Sequence, residues 1–272
     1  MSERERIIKR NNVRIHGQGR VTLMLAHGFG CDQNMWRFVV PALSQHYRLV
    51  LLDYVGAGGS DVSAYDRKRY ACLEGYAQDL IDVGQALELE QAVLVGHSVS
   101  ATIGLISGIE QPSLFSHQIM LCPSPCFLNK PPDYPGGFER EDLEELIDLM
   151  DKNYIGWANH LPPLVIGQQA DPAINRELAE SFCSTDPLIA KNFAQATFFS
   201  DYRHLLPEVR QPSLLLQCES DSLASVEIGQ YMQRRMPGSE LRYLPSEGHC
   251  PHMTDPERVI LAVRQYLDRV AP

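Results

Sequence analysis

Short, almost continuous aliphatic runs alternate along this chain with longer stretches whose apolar positions recur at helical spacing. Residues 21–26, 47–53, 92–97, 118–122 and 213–217 have the composition of strands buried on both faces of a sheet. Weaker apolar runs at Ile7-Ile8, 13–15 and 241–244 bring the expected number of strands to eight. After the third, strands and helical segments alternate, which predicts an α/β fold with a mostly parallel eight-stranded sheet and flanking helices. The stretch between Cys122 and Ser213 breaks this rhythm. It opens on a proline- and glycine-rich segment, 130–137, and continues as four helical pieces at about 139–151, 154–167, 172–183 and 187–200. Asp171-Pro172 and Asp186-Pro187 are helix starts, each an acidic N-cap followed by proline in the first turn. The chain therefore divides into a core, 1–122 and 201–272, and an insertion, 123–200.

The strongest chemical signal is Gly96-His97-Ser98-Val99-Ser100, which follows the run 92–95 and precedes a helical stretch. This is the context of a nucleophile elbow, in which a serine takes an unfavourable backbone conformation at a strand-to-helix turn and the flanking residues must be small. Ser100 stands where the pattern has its second glycine. The remaining catalytic parts follow in the order that such an elbow requires. Asp221 lies in the polar loop after the strand at 213–217 and is the acid, with Glu219 as its rival. His249 follows Gly248 in the loop before the last helix and is the base, with His252 as its rival. A metal reading of His249, Cys250 and His252 with Cys218 lacks the usual ligand spacings, so no metal is expected. The run 21–26 ends in His27-Gly28-Phe29-Gly30, a turn suited to aiming a backbone N–H at a reacting oxygen. The Phe29 and Val99 amides are the expected oxyanion donors, each contributing about 2.7–4 kcal/mol in comparable sites.

With these parts assembled, the chain resembles the α/β-hydrolase superfamily. It is more closely similar to the RsbQ-like sigma-B regulators and the related karrikin- and strigolactone-receptor hydrolases. The segments that carry the likeness include His27-Gly28-Phe29-Gly30-Cys31-Asp32-Gln33, Asp53-Tyr54-Val55-Gly56, Tyr76-Ala77-Gln78-Asp79, Pro123-Ser124-Pro125, Phe182-Cys183-Ser184-Thr185-Asp186 and Gly248-His249-Cys250-Pro251-His252. The resemblance implies that the four helical pieces form a lid over Ser98. Of its aromatic residues, Phe127, Phe138, Trp157, Phe193 and Phe198 are the expected pocket lining. It also implies a role in stress signalling beside a PAS-domain protein.

Composition narrows the partners. A net charge of −10 disfavours nucleic acid and anionic membrane surfaces. No apolar run approaches the roughly 20 residues that cross a bilayer, and the charged start lacks a signal-peptide core. Seven cysteines without regular spacing read as reduced thiols, so the expected location is the cytoplasm. Much of the negative charge is local: acids interleave with aliphatics over 139–151, giving an amphipathic helix with an acidic outer face. The expected activity is hydrolysis of a small apolar ester or lactone by Ser98, His249 and Asp221, without a cofactor. The alternative is a regulator in which contact with a partner matters more than turnover.

Overall fold

A computed structural model describes residues 1–167 and 170–270. Gln168, Gln169, Ala271 and Pro272, which fall inside the insertion and core ranges above, lie outside the described residues.

The strands are β1 (Arg14–His16), β2 (Thr22–Ala26), β3 (Arg48–Leu51), β4 (Ala92–His97), β5 (Phe115–Leu121), β6 (Ser213–Ser220) and β7 (Ser239–Glu247). They form one sheet in the order β1-β3-β2-β4-β5-β6-β7, parallel throughout except for the β1–β3 pair. The helices are α1 (Glu3–Arg10), α2 (Val40–Leu43), α3 (Leu73–Ala86), α4 (Val99–Glu110), α5 (Arg140–Lys152), α6 (Tyr154–Ile166), α7 (Pro172–Ser184), α8 (Pro187–Phe198), α9 (Val226–Arg235), α10 (Pro251–Thr254) and α11 (Pro256–Val270).

Strand alternation divides the core between the two faces. Leu23 and Leu25 of β2 join the cluster that receives α9 and α11, whereas Met24 and Ala26 join the one that receives α3. Covered on both sides, β4 is buried along its whole length, which explains its unbroken apolar sequence.

The sheet has seven strands among the described residues, not eight. Ile7 and Ile8 belong to α1, and the reason lies at its start. Ser2 Oγ accepts from the Glu5 amide at 3.2 Å and the Glu5 carboxylate accepts from the Ser2 amide at 2.8 Å. This capping box, with acids in the first turn and Lys9 and Arg10 in the last, favours helix over an isolated strand pair. The isoleucines then pack on the cluster beside α3, and Arg10 reaches Asp82 at 2.9 Å.

The four helices α5–α8 lie between β5 and β6 in sequence, as the broken alternation predicts, and residues from all four line the cavity above the parallel strands' C-terminal ends. Ligand sites in open α/β sheets form at these ends because the loops there converge.

Candidate active site

Ser98 joins β4 to α4 with φ 55° and ψ −122°, a left-handed-side conformation that costs a non-glycine residue on the order of 1–3 kcal/mol. The turn is tight enough that a Cβ on Gly96 would lie 2.5 Å from the Ser100 carbonyl oxygen. Ser100, the departure from the usual pattern, is accommodated by bonding across the site. Its hydroxyl donates to the His27 carbonyl at 2.5 Å and accepts from the Tyr54 hydroxyl at 2.7 Å. An extra side chain thereby ties the elbow to the end of β2.

Ser98 Oγ lies 2.7 Å from His249 Nε2, and His249 Nδ1 lies 2.8 and 3.0 Å from the two Asp221 carboxylate oxygens. The bonded carboxylate sets the tautomer: Nδ1–H donates to Asp221, leaving Nε2 to accept from Ser98. Burial acts to raise the Asp221 carboxyl, but His249 and the amides of Leu223 and Ala224 outweigh it and hold the group below its ordinary range. Asp221 is thus an anion whose side chain is fully enclosed. The rival acid, Glu219, is exposed, and the rival base, His252, is buried beneath Trp36 and His97 without bonding to Ser98.

Gly248 has φ 86°, and a Cβ there would come within 2.0 Å of the Ile166 carbonyl oxygen, so glycine is required where α6 ends against the base loop. The next amide, His249 N–H, donates to the Val165 carbonyl at 2.7 Å. On the other side, His97 Nε2–H donates to the His249 carbonyl at 2.7 Å. His249 is therefore held through both its backbone N–H and its carbonyl.

The turn after β2 shows a related logic. His27 Nδ1–H donates to the Gly28 carbonyl at 2.9 Å, while His27 Nε2 accepts from the Tyr54 amide at 3.2 Å. In a trans peptide the amide N–H points opposite to the preceding carbonyl, so anchoring Gly28 C=O directs the Phe29 N–H away from His27. Val99, the first residue of α4, has an amide with no partner inside its own helix.

These groups face a largely apolar cavity of about 310 Å³. Phe29, Phe127, Phe138 and Phe198 line it with Ser98 and His249. Trp157 and Phe193 do not. Trp157 is enclosed behind Phe29 and stacks on Tyr154, with ring centroids 5.4 Å apart, and Phe193 stacks on Tyr76 at 4.1 Å. Trp157 is consumed by packing between α6 and α7, where it also meets Phe182, and Phe193 by the seam with the core, roles that helical spacing alone does not separate from facing a pocket. Phe182 was not among the expected lining residues, and its ring presses on Gly30, where a Cβ would lie 1.7 Å from it. Cys31 and Cys250 also contribute to the wall.

Cys122 Sγ lies within 4.8 Å of ligand atoms of Asp221 and His249. Burial, with Cys218 next, raises its thiol well above the ordinary range, so it is neutral and a weak ligand. The two sulfurs are 3.7 Å apart and all seven cysteines are free.

The sequence profile of the alpha/beta hydrolase family matches residues 23–262. Karrikin insensitive 2 receptor CA of Petunia hybrida is 38% identical over 258 residues, covering 94% of this chain and 95% of that protein. Strigolactone esterase D14 of Arabidopsis thaliana is 36% identical over 264 residues, covering 97% and 98%. Among solved structures, the hydrolase olei00960 of Oleispira antarctica superimposes with a TM-score of 0.96 at 52% identity, over 98% of each chain.

Proposed function

Because the chain belongs to the alpha/beta hydrolase family, we propose that it is a serine esterase or lactonase of small apolar substrates that works through Ser98, His249 and Asp221. The observation that carries this reading is the continuous hydrogen-bond chain from Ser98 Oγ through His249 to an enclosed Asp221 at the edge of an apolar cavity. As Ser98 Oγ bonds to the substrate carbonyl carbon, its proton passes to His249 Nε2, and Asp221 stabilises the imidazolium. The oxyanion faces the Phe29 and Val99 amides. Collapse expels the alkoxide, which takes the proton from His249, and leaves an acyl-Ser98. Water attacks that ester by the same route and releases the acid, so a lactone yields its hydroxy acid.

Ser98→Ala and His249→Ala should each lower kcat on p-nitrophenyl acetate by at least about ten-thousandfold, and Asp221→Asn by a similar order, with little change in thermal stability for Ser98→Ala. Glu219→Gln should have no comparable effect. Wild-type turnover by Ser98→Ala would overturn the reading.

A second reading, in which ligand-dependent contact outweighs turnover, is favoured by the likeness to a protein named as a receptor. In it, residues 123–200 act as a cap on a core of 1–122 and 201–272. The cap reports the state of Ser98 to a cytoplasmic PAS-domain protein, the partner class that the RsbQ-like resemblance suggests. Glu141 and Glu145 are exposed on α5. Their replacement by lysine should leave short-ester turnover intact and weaken capture of a PAS-domain protein. Hydrogen exchange in α5–α8 should change when a slow inhibitor acylates Ser98. Unchanged capture and exchange would leave a plain esterase.

A further inference from the structure

Thr197 is the penultimate residue of α8 and lines the same cavity as Ser98 and His249. It is only 2% exposed, and no protein group bonds its Oγ1. A helical threonine ordinarily rests its hydroxyl on a carbonyl three or four residues back, which here would be Ala194 or Phe193. That bond is not made.

Each of the other hydroxyl, carboxylate and imidazole side chains of the wall has at least one protein partner. Ser222 Oγ donates to the Leu164 carbonyl at 2.7 Å, Asp142 accepts from the Glu139 amide at 3.1 Å, and Ser98 is engaged with His249. His97 donates through Nε2, and its Nδ1, although without a protein partner, is an acceptor set against the Gly28 backbone. Buried donors are left unpaired less often than buried acceptors. Among the described residues of the wall, Thr197 holds the one hydroxyl without a protein partner, in a cavity whose lining is mainly phenylalanine and leucine.

Resting on the esterase reading above, we propose that Thr197 Oγ1 is a specificity subsite that donates a hydrogen bond to a second oxygen of the substrate, remote from the scissile carbonyl. An ether, ring or carbonyl oxygen satisfies it. A plain alkyl group at the same place leaves a buried hydroxyl unpaired, and such a site discriminates against the ligand that lacks the partner atom. The preferred substrates are therefore small esters or lactones that carry an acceptor oxygen in an otherwise apolar body.

The test uses two matched series of p-nitrophenyl esters, alkanoates and their analogues with one methylene replaced by oxygen at successive positions along the acyl chain. The readout is the ratio of kcat/KM between the oxygen-bearing and alkyl members of each pair, in which intrinsic reactivity cancels between enzyme variants. At the position that reaches α8, Thr197→Val, close to isosteric but without the hydroxyl, should lower this ratio about fivefold to tenfold. Thr197→Ser should retain it. A ratio unchanged by Thr197→Val at every position overturns the subsite. Calorimetric binding of the same pairs to Ser98→Ala separates the two claims, because it needs no turnover. Oxygen preference in binding that Thr197→Val removes, in a protein whose wild type cleaves no ester, would keep the subsite and discard the esterase reading. Ester cleavage without that preference would do the reverse.

Discussion

At Ser98 a single residue holds a conformation that glycine would adopt more easily, and its neighbours supply what keeps it there. Gly96 leaves room for the returning helix, and Ser100 bonds both the His27 carbonyl and Tyr54. From the sequence, Ser100 looks like a weakened motif, because its partners come from residues 27 and 54, which only the sheet brings near. The buried histidines have a consequence for stability. Burial, then the field of His249, lowers His97 from 6.5 to about 3, and burial, then His97, pushes His252 in the same direction. Both remain neutral in the folded protein while their unfolded counterparts take up protons below about pH 6.5. The unfolded state then binds more protons, so stability falls as pH drops from about 6.5 toward the folded values. The urea midpoint should decline between pH 6.5 and 5, above the range where ordinary carboxylates titrate. A flat midpoint over that interval would show that these rings are not held neutral.

The inserted helices do more than cover the site, because they bond to the loops that carry its chemistry. Ser181 Oγ of α7 donates to the Gly30 carbonyl at 2.8 Å, Glu177 of the same helix pairs with Arg37, and the Val165 carbonyl of α6 accepts from His249 N–H. The Gly30 turn and the His249 loop are thus each bonded to an inserted helix, the turn to α7 and the loop to α6. Ser181→Ala removes one such anchor, a bond worth about 0.5–1.5 kcal/mol. It should lower kcat on short esters severalfold with a smaller change in KM, since it loosens the donor turn rather than the apolar wall. Steady-state kinetics on p-nitrophenyl acetate read this directly, and a rise in KM alone would place Ser181 in substrate binding instead. The same scale explains the misread start of the chain. Ile7 and Ile8 have β-prone side chains, but the capping box formed by Ser2 and Glu5 decides the local structure.

Over the whole molecule, a seven-stranded sheet presents Ser98 and His249 at its C-terminal edge, and four helices close that edge into a cavity of about 310 Å³. That volume lies at the lower end of small-molecule sites. Acetyl and butyryl p-nitrophenyl esters should therefore be cleaved with kcat/KM at least about tenfold above that of a palmitoyl ester, whose chain the cavity cannot enclose. Equal or better cleavage of the long chain, measured below its solubility limit, would mean that α5–α8 open far more widely than their bonds to the core suggest. No helix among the described residues is long and apolar enough to cross a membrane.

Local chemistry and order along the chain were enough to single out Ser98, Asp221 and His249 as candidates, which the fold brings into one hydrogen-bonded chain, since an elbow between a buried strand and a helix, an acidic loop and a glycine–histidine step are each written in contiguous residues. The strand runs were legible for the same reason: burial on both faces leaves an unbroken aliphatic signature. What the tertiary structure alone decided is which side of each inserted helix meets the cavity. Trp157 packs on Tyr154 and Phe182 behind Phe29, and Phe193 turns onto Tyr76 of the core, whereas Phe182 and Thr197 reach the wall. Helical spacing specifies a face but not its partner, and the partner depends on where separate helices pack. The unpaired hydroxyl of Thr197 and the bonds of Ser100 were equally hidden, because hydrogen-bond satisfaction is a property of assembled neighbours rather than of a residue in sequence.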